Sequence, residues 1–362
     1  MARTWTGWAV AVTIAVAGSL AVHAAEPQRA KASKRGSKQD AAACGAALDY
    51  QVRLDRVGFS PGEIDGKFGR STSLALRAFQ DASGLPPTGK PGCPTWEALL
   101  ARDPQAETLT PHVLTEEDLA GPFADNIPDD LMEQAELKEL AFTSALEALG
   151  ERFHASPALL TRLNPKARLA PGETLLVPNV VLTAEDAAAA TAQVPALRSN
   201  GRGTTPAAAQ GPKTPADKQA QPAATRNDLT IEVSAEGAAL RVLSADGTVV
   251  FFAPVTVGSE HDPLPAGEWN VTEVSWNPKF HYNPELFWDA DPSHAKATIA
   301  PGPNNPVGSV WIGLTVPHYG IHGTAEPALV GRAQSHGCVR LTNWDAARVG
   351  KLARPGMKVV FK

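Results

Sequence analysis

The sequence predicts a multidomain protein with a mainly β C-terminal domain, residues 228–362, and a small helical N-terminal domain, residues 44–103. From Leu229 onward, short alternating strands are separated by Gly, Asp and Ser turns, which is typical of antiparallel β structure. Residues 44–103 instead carry apolar side chains at helical spacing. Residues 183–227 are rich in Ala, Pro, Thr and Gln, so they lack the apolar area that would offset ordering entropy. We expect that stretch to be a disordered linker.

The first 24 residues predict a secretory signal peptide. Arg3 supplies a positive start, residues 8–22 an apolar stretch, and Val22-His23-Ala24 a cleavage site. A retained membrane anchor is the alternative, although the basic residues that follow oppose the positive-inside tendency. We therefore expect an exported protein of the periplasm or cell wall, with no stable membrane span after signal cleavage. The net charge of −5 argues against nucleic acid as a partner.

The chain has three cysteines, and an odd number in an exported protein leaves one thiol unpaired. Cys44 and Cys93 flank the helical segment and are candidates for a disulfide, which would stabilise it by about 4 kcal/mol on a chain-entropy model. Two buried thiols are the alternative. Cys338 is then the free thiol.

The N-terminal domain is predicted to contain three helices, the third beginning at Pro94. The stretch Asp65-Gly66-Lys67-Phe68-Gly69, followed by Ser71-Thr72 and Phe79-Gln80, resembles the small three-helix peptidoglycan-binding domain. A generic helical spacer is the alternative, since short motifs are hypotheses.

Residues 138–180 resemble the LysM carbohydrate-binding module, an α/β unit. The resemblance is carried by residues 146–153, by Leu163-Asn164-Pro165 and by residues 175–178. The first strand of such a unit, with its Gly-Asp-Thr turn, is not evident before Thr143. A working glycan binder and a degenerate copy kept for packing both remain open.

The motif that carries chemistry is Ser335-His336-Gly337-Cys338-Val339-Arg340-Leu341, preceded by Ile321-His322-Gly323-Thr324. Thiol catalysis needs a sulfur nucleophile, an imidazole that accepts its proton, and backbone that approaches the reacting carbon. A free thiol is only about 3% ionised at pH 7, so a neighbouring imidazole matters. Backbone N–H groups of Gly337 and Cys338 are candidates for an oxyanion hole.

These motifs resemble the bacterial cell-wall L,D-transpeptidases with a YkuD-type catalytic domain. Pro265-Ala266-Gly267-Glu268 and the stretch from Gly302 to Gly308 also resemble that family. The resemblance implies a sandwich-like β core and a two-step acyl transfer. It implies Cys338 as nucleophile and His322 as general base, held by a backbone carbonyl such as that of Gly323.

Other site residues are less strongly specified. His336 is expected to tune the thiolate, line the oxyanion site or only fix the turn. Ser335 is expected to brace that turn. The candidate substrate-binding residues are Arg340, Ser335, Tyr319 and Arg332, and a structural salt bridge is an equal alternative for Arg340.

The resemblance implies tetrapeptide stems of peptidoglycan as donor and an amine of another stem, or of a protein, as acceptor, without metal or organic cofactor. Zinc is disfavoured because the histidines lack the paired spacing of zinc sites. The alternatives are an L,D-carboxypeptidase or endopeptidase, which uses water as acceptor, and a non-catalytic wall-binding protein. A papain-like hydrolase is disfavoured because its cysteine precedes its histidine.

Overall fold

The computed structural model describes residues 44–105, 107–180 and 229–362. The predicted signal peptide, residues 1–24, and the predicted linker, residues 183–227, lie outside the described residues. None of the described helices is both long enough and apolar enough to cross a membrane.

The N-terminal domain contains the three predicted helices, packed around Tyr50, Leu76, Phe79 and Leu99. Pro94 lies in the first turn of the third helix, where its missing N–H costs nothing. The Cys44–Cys93 disulfide joins the chain before the first helix to the start of the third, with 5.2 Å between the Cα atoms, which confirms the predicted pairing. The helices are α1 Ala47–Arg56, α2 Arg70–Ala82 and α3 Cys93–Arg102.

The middle module consists of a two-stranded antiparallel sheet covered by two helices that begin at capping serines, Ser144 and Ser156. Its first strand begins at Leu109, so the predicted lower boundary at residue 138 is corrected. The strand escaped sequence analysis because it is short, contains Pro111, and pairs with a partner more than 60 residues away. Its elements are β1 Leu109–Val113, α4 Leu131–Ala135, α5 Ala145–Arg152, α6 Pro157–Leu163 and β2 Thr174–Pro178.

The C-terminal domain is built on one eight-stranded sheet. Its strands are β3 Thr230–Ser234, β4 Ala239–Leu243, β5 Val249–Pro254, β6 Gly267–Trp276, β9 Val310–Leu314, β10 Gly320–His322, β11 Val339–Arg340 and β12 Lys358–Phe361. Across the sheet they lie in the order β11-β10-β9-β6-β12-β3-β4-β5. A hairpin of β7 Phe280–Tyr282 and β8 Ala297–Ile299, and the helix α7 Asn343–Leu352, complete the domain.

The sheet curls around a single hydrophobic core. The long strand β6 pairs with β12 through its first half and with β9 through its second half, and its register shifts between Val271 and Glu273. A bridge between Thr256 and Arg340 joins the two ends of the sheet. Apolar side chains from all eight strands of this sheet meet those of α7 in one cluster. The prediction of a mainly β domain is confirmed.

Buried polar contacts fasten α1 and the middle module to α7. Asp55 of α1, which is fully buried, accepts two hydrogen bonds of 2.9 Å from Arg348 and lies 3.2 Å from His154. The His154 ring stacks on Trp344 with 5.2 Å between centroids. Ser60 donates to Asp345 at 2.8 Å. These contacts hold the three modules in one arrangement around α7.

Candidate active site

The floor of the candidate site is the outer face of the strands β6, β9, β10 and β11. Side chains alternate between the two faces of a strand, so Ile312, Ile321 and Val339 enter the core. Their neighbours Trp311, His322 and Arg340 point to the opposite face and line a cavity of about 890 Å³. Gly313 faces Gly320 across the β9–β10 ladder, and the Trp311 ring packs over Gly320, where a Cβ would lie 2.5 Å from it.

Cys338 lies directly before β11, which runs parallel to β10 with Val339 opposite Ile321. This register brings the Cys338 sulfur to the start of β10, where its S–H donates to the His318 carbonyl at 3.7 Å. Burial raises the pKa of the Cys338 thiol, although the Gly320 N–H and the Arg340 guanidinium act in the opposite direction. The thiol is therefore the favoured form in the ligand-free site.

A glycine is required in the turn that carries the thiol. Gly337 has φ of +100°, which side chains rarely adopt, and a Cβ there would lie 2.5 Å from Cε1 of Tyr319. Ser335 braces the same turn by donating from Oγ to the Cys338 carbonyl at 2.6 Å. The turn thereby leaves the backbone N–H groups of Gly337 and Cys338 without an acceptor among the described residues.

His322 is held in one tautomer. Its Nδ1–H donates to the Gly323 carbonyl at 2.6 Å, because a carbonyl oxygen only accepts. Nε2 is then unprotonated and available for a proton. The ring stacks on Trp311 with 5.6 Å between centroids, and burial together with the Arg340 charge lowers the pKa of His322 to about 3. The imidazole is consequently neutral at physiological pH.

The predicted substrate-binding residues divide into two pairs. Tyr319 and Arg340 line the cavity. Ser335 is buried below the turn, and Arg332 lies on the other side of the domain, at the seam with the N-terminal domain, where its charge acts on Glu63. The prediction that Arg332 lines the pocket is therefore corrected: the chain between Leu329 and Ser335 turns away from the cavity before the motif begins.

A cap formed by the β7–β8 hairpin and its connecting loop covers the cavity, and sequence analysis missed it. Asp289 of this cap accepts a 2.7 Å hydrogen bond from Nε2 of His336, and the Phe287 ring lies 5.0 Å from the His336 ring. The only signal in the sequence was the density of aromatic residues in this region, including Tyr282 and Trp288.

The insertion between β1 and α5 supports the cap from outside. Leu131 of α4 lines the cavity, and the neighbouring Asp130 bonds His294 of the cap at 3.0 Å. His294 in turn bonds the Tyr282 hydroxyl at 3.0 Å. The backbone N–H of Leu140 donates to the Pro301 carbonyl at 3.0 Å. One residue of the cavity lining, Leu131, thus comes from the middle module.

Across residues 44–105, 107–180 and 229–362, no group of three or more His, Cys, Asp or Glu side chains is arranged to hold a metal ion.

The sheet and this site define a known class of domain. Residues 228–361 match the family model described as the L,D-transpeptidase catalytic domain, YkuD, and residues 47–99 match that of the peptidoglycan binding domain. The C-terminal domain therefore belongs to the YkuD family of L,D-transpeptidase domains, and the N-terminal domain is a peptidoglycan-binding domain. The resemblances noted for residues 228–362 and for residues 44–103 are confirmed.

Two curated relatives show the extent of the similarity. An L,D-transpeptidase named YkuD from Bacillus licheniformis is 30% identical over 129 residues, covering 36% of this chain and 62% of its own. Its counterpart from Bacillus subtilis is 29% identical over 125 residues, covering 34% of this chain and 61% of its own. This chain therefore spans somewhat less than two thirds of the length of these relatives.

Among solved structures, an L,D-transpeptidase from Mycobacterium smegmatis matches with a TM-score of 0.31 and 18% identity, covering 37% of this chain and 58% of that chain. An Enterococcus faecium L,D-transpeptidase C442S mutant matches with a TM-score of 0.29 and 17% identity, covering 37% and 50%.

Proposed function

We propose that this protein is a cysteine-dependent L,D-transpeptidase acting on peptidoglycan stem peptides. The observation that carries the proposal is that a free thiol, Cys338, directly precedes β11, that the His322 imidazole lies on the adjacent parallel strand β10, and that both side chains line one cavity. The histidine has its accepting nitrogen free, and the domain around it belongs to a transpeptidase family.

The first step is acylation of Cys338 by a tetrapeptide stem. The thiol proton passes to Nε2 of His322 as the sulfur attacks the carbonyl carbon of the third residue. The tetrahedral intermediate then expels the amine of the terminal D-alanine, which takes the proton back from His322. A carbon–sulfur bond forms and a carbon–nitrogen bond breaks, leaving a thioester on Cys338.

Proton transfer has to accompany the attack in this site. Burial favours the neutral thiol of Cys338 and also lowers the pKa of His322, so a resting thiolate–imidazolium pair is disfavoured. The substrate carbonyl supplies the electrophile that makes the transfer favourable. The free N–H groups of Gly337 and Cys338 stabilise the negative oxygen that develops.

Arg340 has two roles in this scheme. Together with burial, which has the larger effect, its charge keeps His322 neutral and therefore able to accept a proton. Its Nε is buried without a hydrogen-bond partner among the described residues, so the guanidinium has donors available for a substrate carboxylate in the cavity.

The second step transfers the acyl group to an amine. The acceptor nitrogen attacks the thioester carbon, a carbon–nitrogen bond forms, and the carbon–sulfur bond breaks. The proton lost by the amine passes through His322 to the departing sulfur. An amine of a second stem would give a crosslink between third residues, and an amine of a protein would attach that protein to the wall.

The N-terminal domain would hold the enzyme on its insoluble substrate. A peptidoglycan-binding domain packed on the catalytic domain raises the local concentration of stems at the cavity. Such a substrate requires an exported protein of the periplasm or cell wall, as the first 24 residues predict.

The test is mass spectrometry of products after incubating the purified protein with diaminopimelate-containing tetrapeptide muropeptides. We expect dimers joined between third residues, and none from the Cys338→Ala variant, with the exposed-site variant Asp129→Ala as a folded control that keeps the thiol. If tripeptides were the only products, the protein would be an L,D-carboxypeptidase and the proposal of transpeptidation would be wrong. Wall binding without any product would replace it by a non-catalytic binding role.

A further inference from the structure

We propose that Asp289 of the cap is a positioning residue that orients His336 for the chemistry at Cys338. The inference rests on the proposed function. It starts from one contact: Oδ1 of Asp289 accepts a 2.7 Å hydrogen bond from Nε2–H of His336. A carboxylate on one ring nitrogen decides which nitrogen carries the proton and leaves the other for the reaction.

The other nitrogen of the ring, Nδ1, is buried and has no hydrogen-bond partner among the described residues. Buried polar atoms in folded proteins are nearly always paired, so one without a partner needs an explanation. His336 lines the same cavity as Cys338 and precedes it by two residues. The missing partner of Nδ1 is therefore a group that arrives with the substrate or develops during the reaction.

The cap restrains the His336 ring from several sides. The Phe287 ring meets it edge to face at 5.0 Å, and Trp288 lies 6.1 Å from it. Trp288 is itself stacked on His261 at 4.3 Å between centroids. These contacts leave the ring little freedom to rotate while the hydrogen bond to Asp289 is intact. Asp289 thus connects the cap to the turn that carries the nucleophile.

Other titratable groups also lie around this region. They come from the cap, from β6 and the loops next to it, from the loop before β10 and from the motif itself: His281, Asp291, His294, His261, Asp262, Glu273, Lys279, His318, Tyr319, Cys338 and Arg340. Asp291 is the matched control, because it also lines the cavity from the cap but bonds Ser293 rather than His336.

The first measurement is proton NMR of the full chain, in search of a strongly hydrogen-bonded imidazole N–H far downfield of the backbone amides. We expect this resonance in the wild type and in Asp291→Ala, and its loss in Asp289→Ala and His336→Gln. This readout does not depend on transpeptidation, so its outcome is separate from that of the proposed function. Because His322 also has a short imidazole N–H bond, to the Gly323 carbonyl, the diagnostic resonance is the one that His336→Gln removes, and its persistence in Asp289→Ala would overturn the assignment.

The second measurement is the kinetics of crosslink formation. We expect Asp289→Ala to lower kcat by at least about tenfold, with KM changed less than about twofold, and Asp289→Glu to restore part of the loss. In the His336→Gln background, Asp289→Ala should add less than about a further twofold, because residues that act as one unit are not additive. A rise in KM without a fall in kcat, or an equal fall in kcat in Asp291→Ala, would contradict the proposal and would indicate that Asp289 only stabilises the cap.

Discussion

Arg340 lies directly opposite His322 in the parallel ladder of β10 and β11. This register places a guanidinium beside the imidazole that is to accept the thiol proton, and burial and this charge together lower the pKa of His322 to about 3. The same guanidinium partly offsets the effect of burial on Cys338. Burial therefore has the largest effect on both protonation states, and the charge of this cross-strand neighbour adds to it at His322 and opposes it at Cys338.

The pH dependence of Cys338 alkylation follows from these directions. His322 is neutral above about pH 3, so it contributes no ionisation near neutrality. The thiol, whose pKa is raised, forms thiolate only as the pH approaches and passes the ordinary value near 8.5. We expect the rate with iodoacetamide to rise steadily from pH 6 to about 9. A plateau at neutral pH would contradict this, since it would indicate a resting thiolate.

Replacing the proton acceptor should slow acylation without unfolding the domain. His322→Gln removes Nε2 as a base while keeping a similar side-chain volume, and loss of general-base catalysis costs about 10²–10⁴-fold. The measurement is the rate of adduct formation on Cys338 with a tetrapeptide stem, followed by intact-protein mass spectrometry. His281→Gln is the control, because that histidine lines the cavity from the cap. An equal loss in both variants would contradict the assignment of His322.

Gly337 should not tolerate a side chain. Gly337→Ala places a Cβ 2.5 Å from Tyr319 in a backbone conformation with φ of +100°. We expect acyl-enzyme formation to fall by at least about tenfold, because a shift of about 1 Å at the nucleophile has a large kinetic effect. Gly356→Ala is the matched control, since its φ is also positive but no atom lies within 4 Å of the added Cβ. Loss of activity in the control alone would contradict the steric argument.

The contact between the insertion and the cap should affect substrate binding more than chemistry. Asp130→Ala removes the 3.0 Å bond to His294 and loosens one wall of the cavity. Because the pair is partly exposed, we expect a modest rise in KM, about two- to fivefold, with kcat nearly unchanged. Asp129→Ala, at the adjacent exposed position, should leave both constants unchanged. A fall in kcat at constant KM would show that the insertion acts on the chemical step.

The stability of the domain junction should decrease as the pH rises. Burial raises the pKa of Glu151 to about 8 in the folded protein, from a value of 4.5 for the unconstrained side chain. Between these values the folded state binds a proton that the unfolded state releases, so the free energy of unfolding falls across this window. Glu151→Gln cannot ionise, and its Tm should exceed that of the wild type by more at pH 8 than at pH 5. The control is Glu260→Gln at an exposed position, whose Tm difference from the wild type should be the same at both pH values. A Tm difference between Glu151→Gln and the wild type that does not grow from pH 5 to pH 8 would contradict the assignment.

Sequence analysis identified the elements whose signals are local. The thiol motif, the histidine upstream, the three helices and the alternating strands all lie within short windows, where spacing determines which side chains share a face. The pairing of Cys44 with Cys93 was also accessible, because the odd cysteine belonged to a recognisable motif. The position of Arg332 could not be predicted from the sequence, because Arg332 lies among residues of the N-terminal domain that are distant from it along the chain.

The sequence by itself determined the mainly β class of the C-terminal domain, the helical class of the first, and Cys338 and His322 as the pair to examine. Only the tertiary structure decided that Asp289 meets His336, that Asp130 and Leu131 support the cap, and that β1 pairs with β2. The physical reason is separation along the chain: 47 positions separate Asp289 from His336 and 164 separate Asp130 from His294. No local periodicity encodes such contacts, which form only when the curled sheet and the packed modules bring distant segments together.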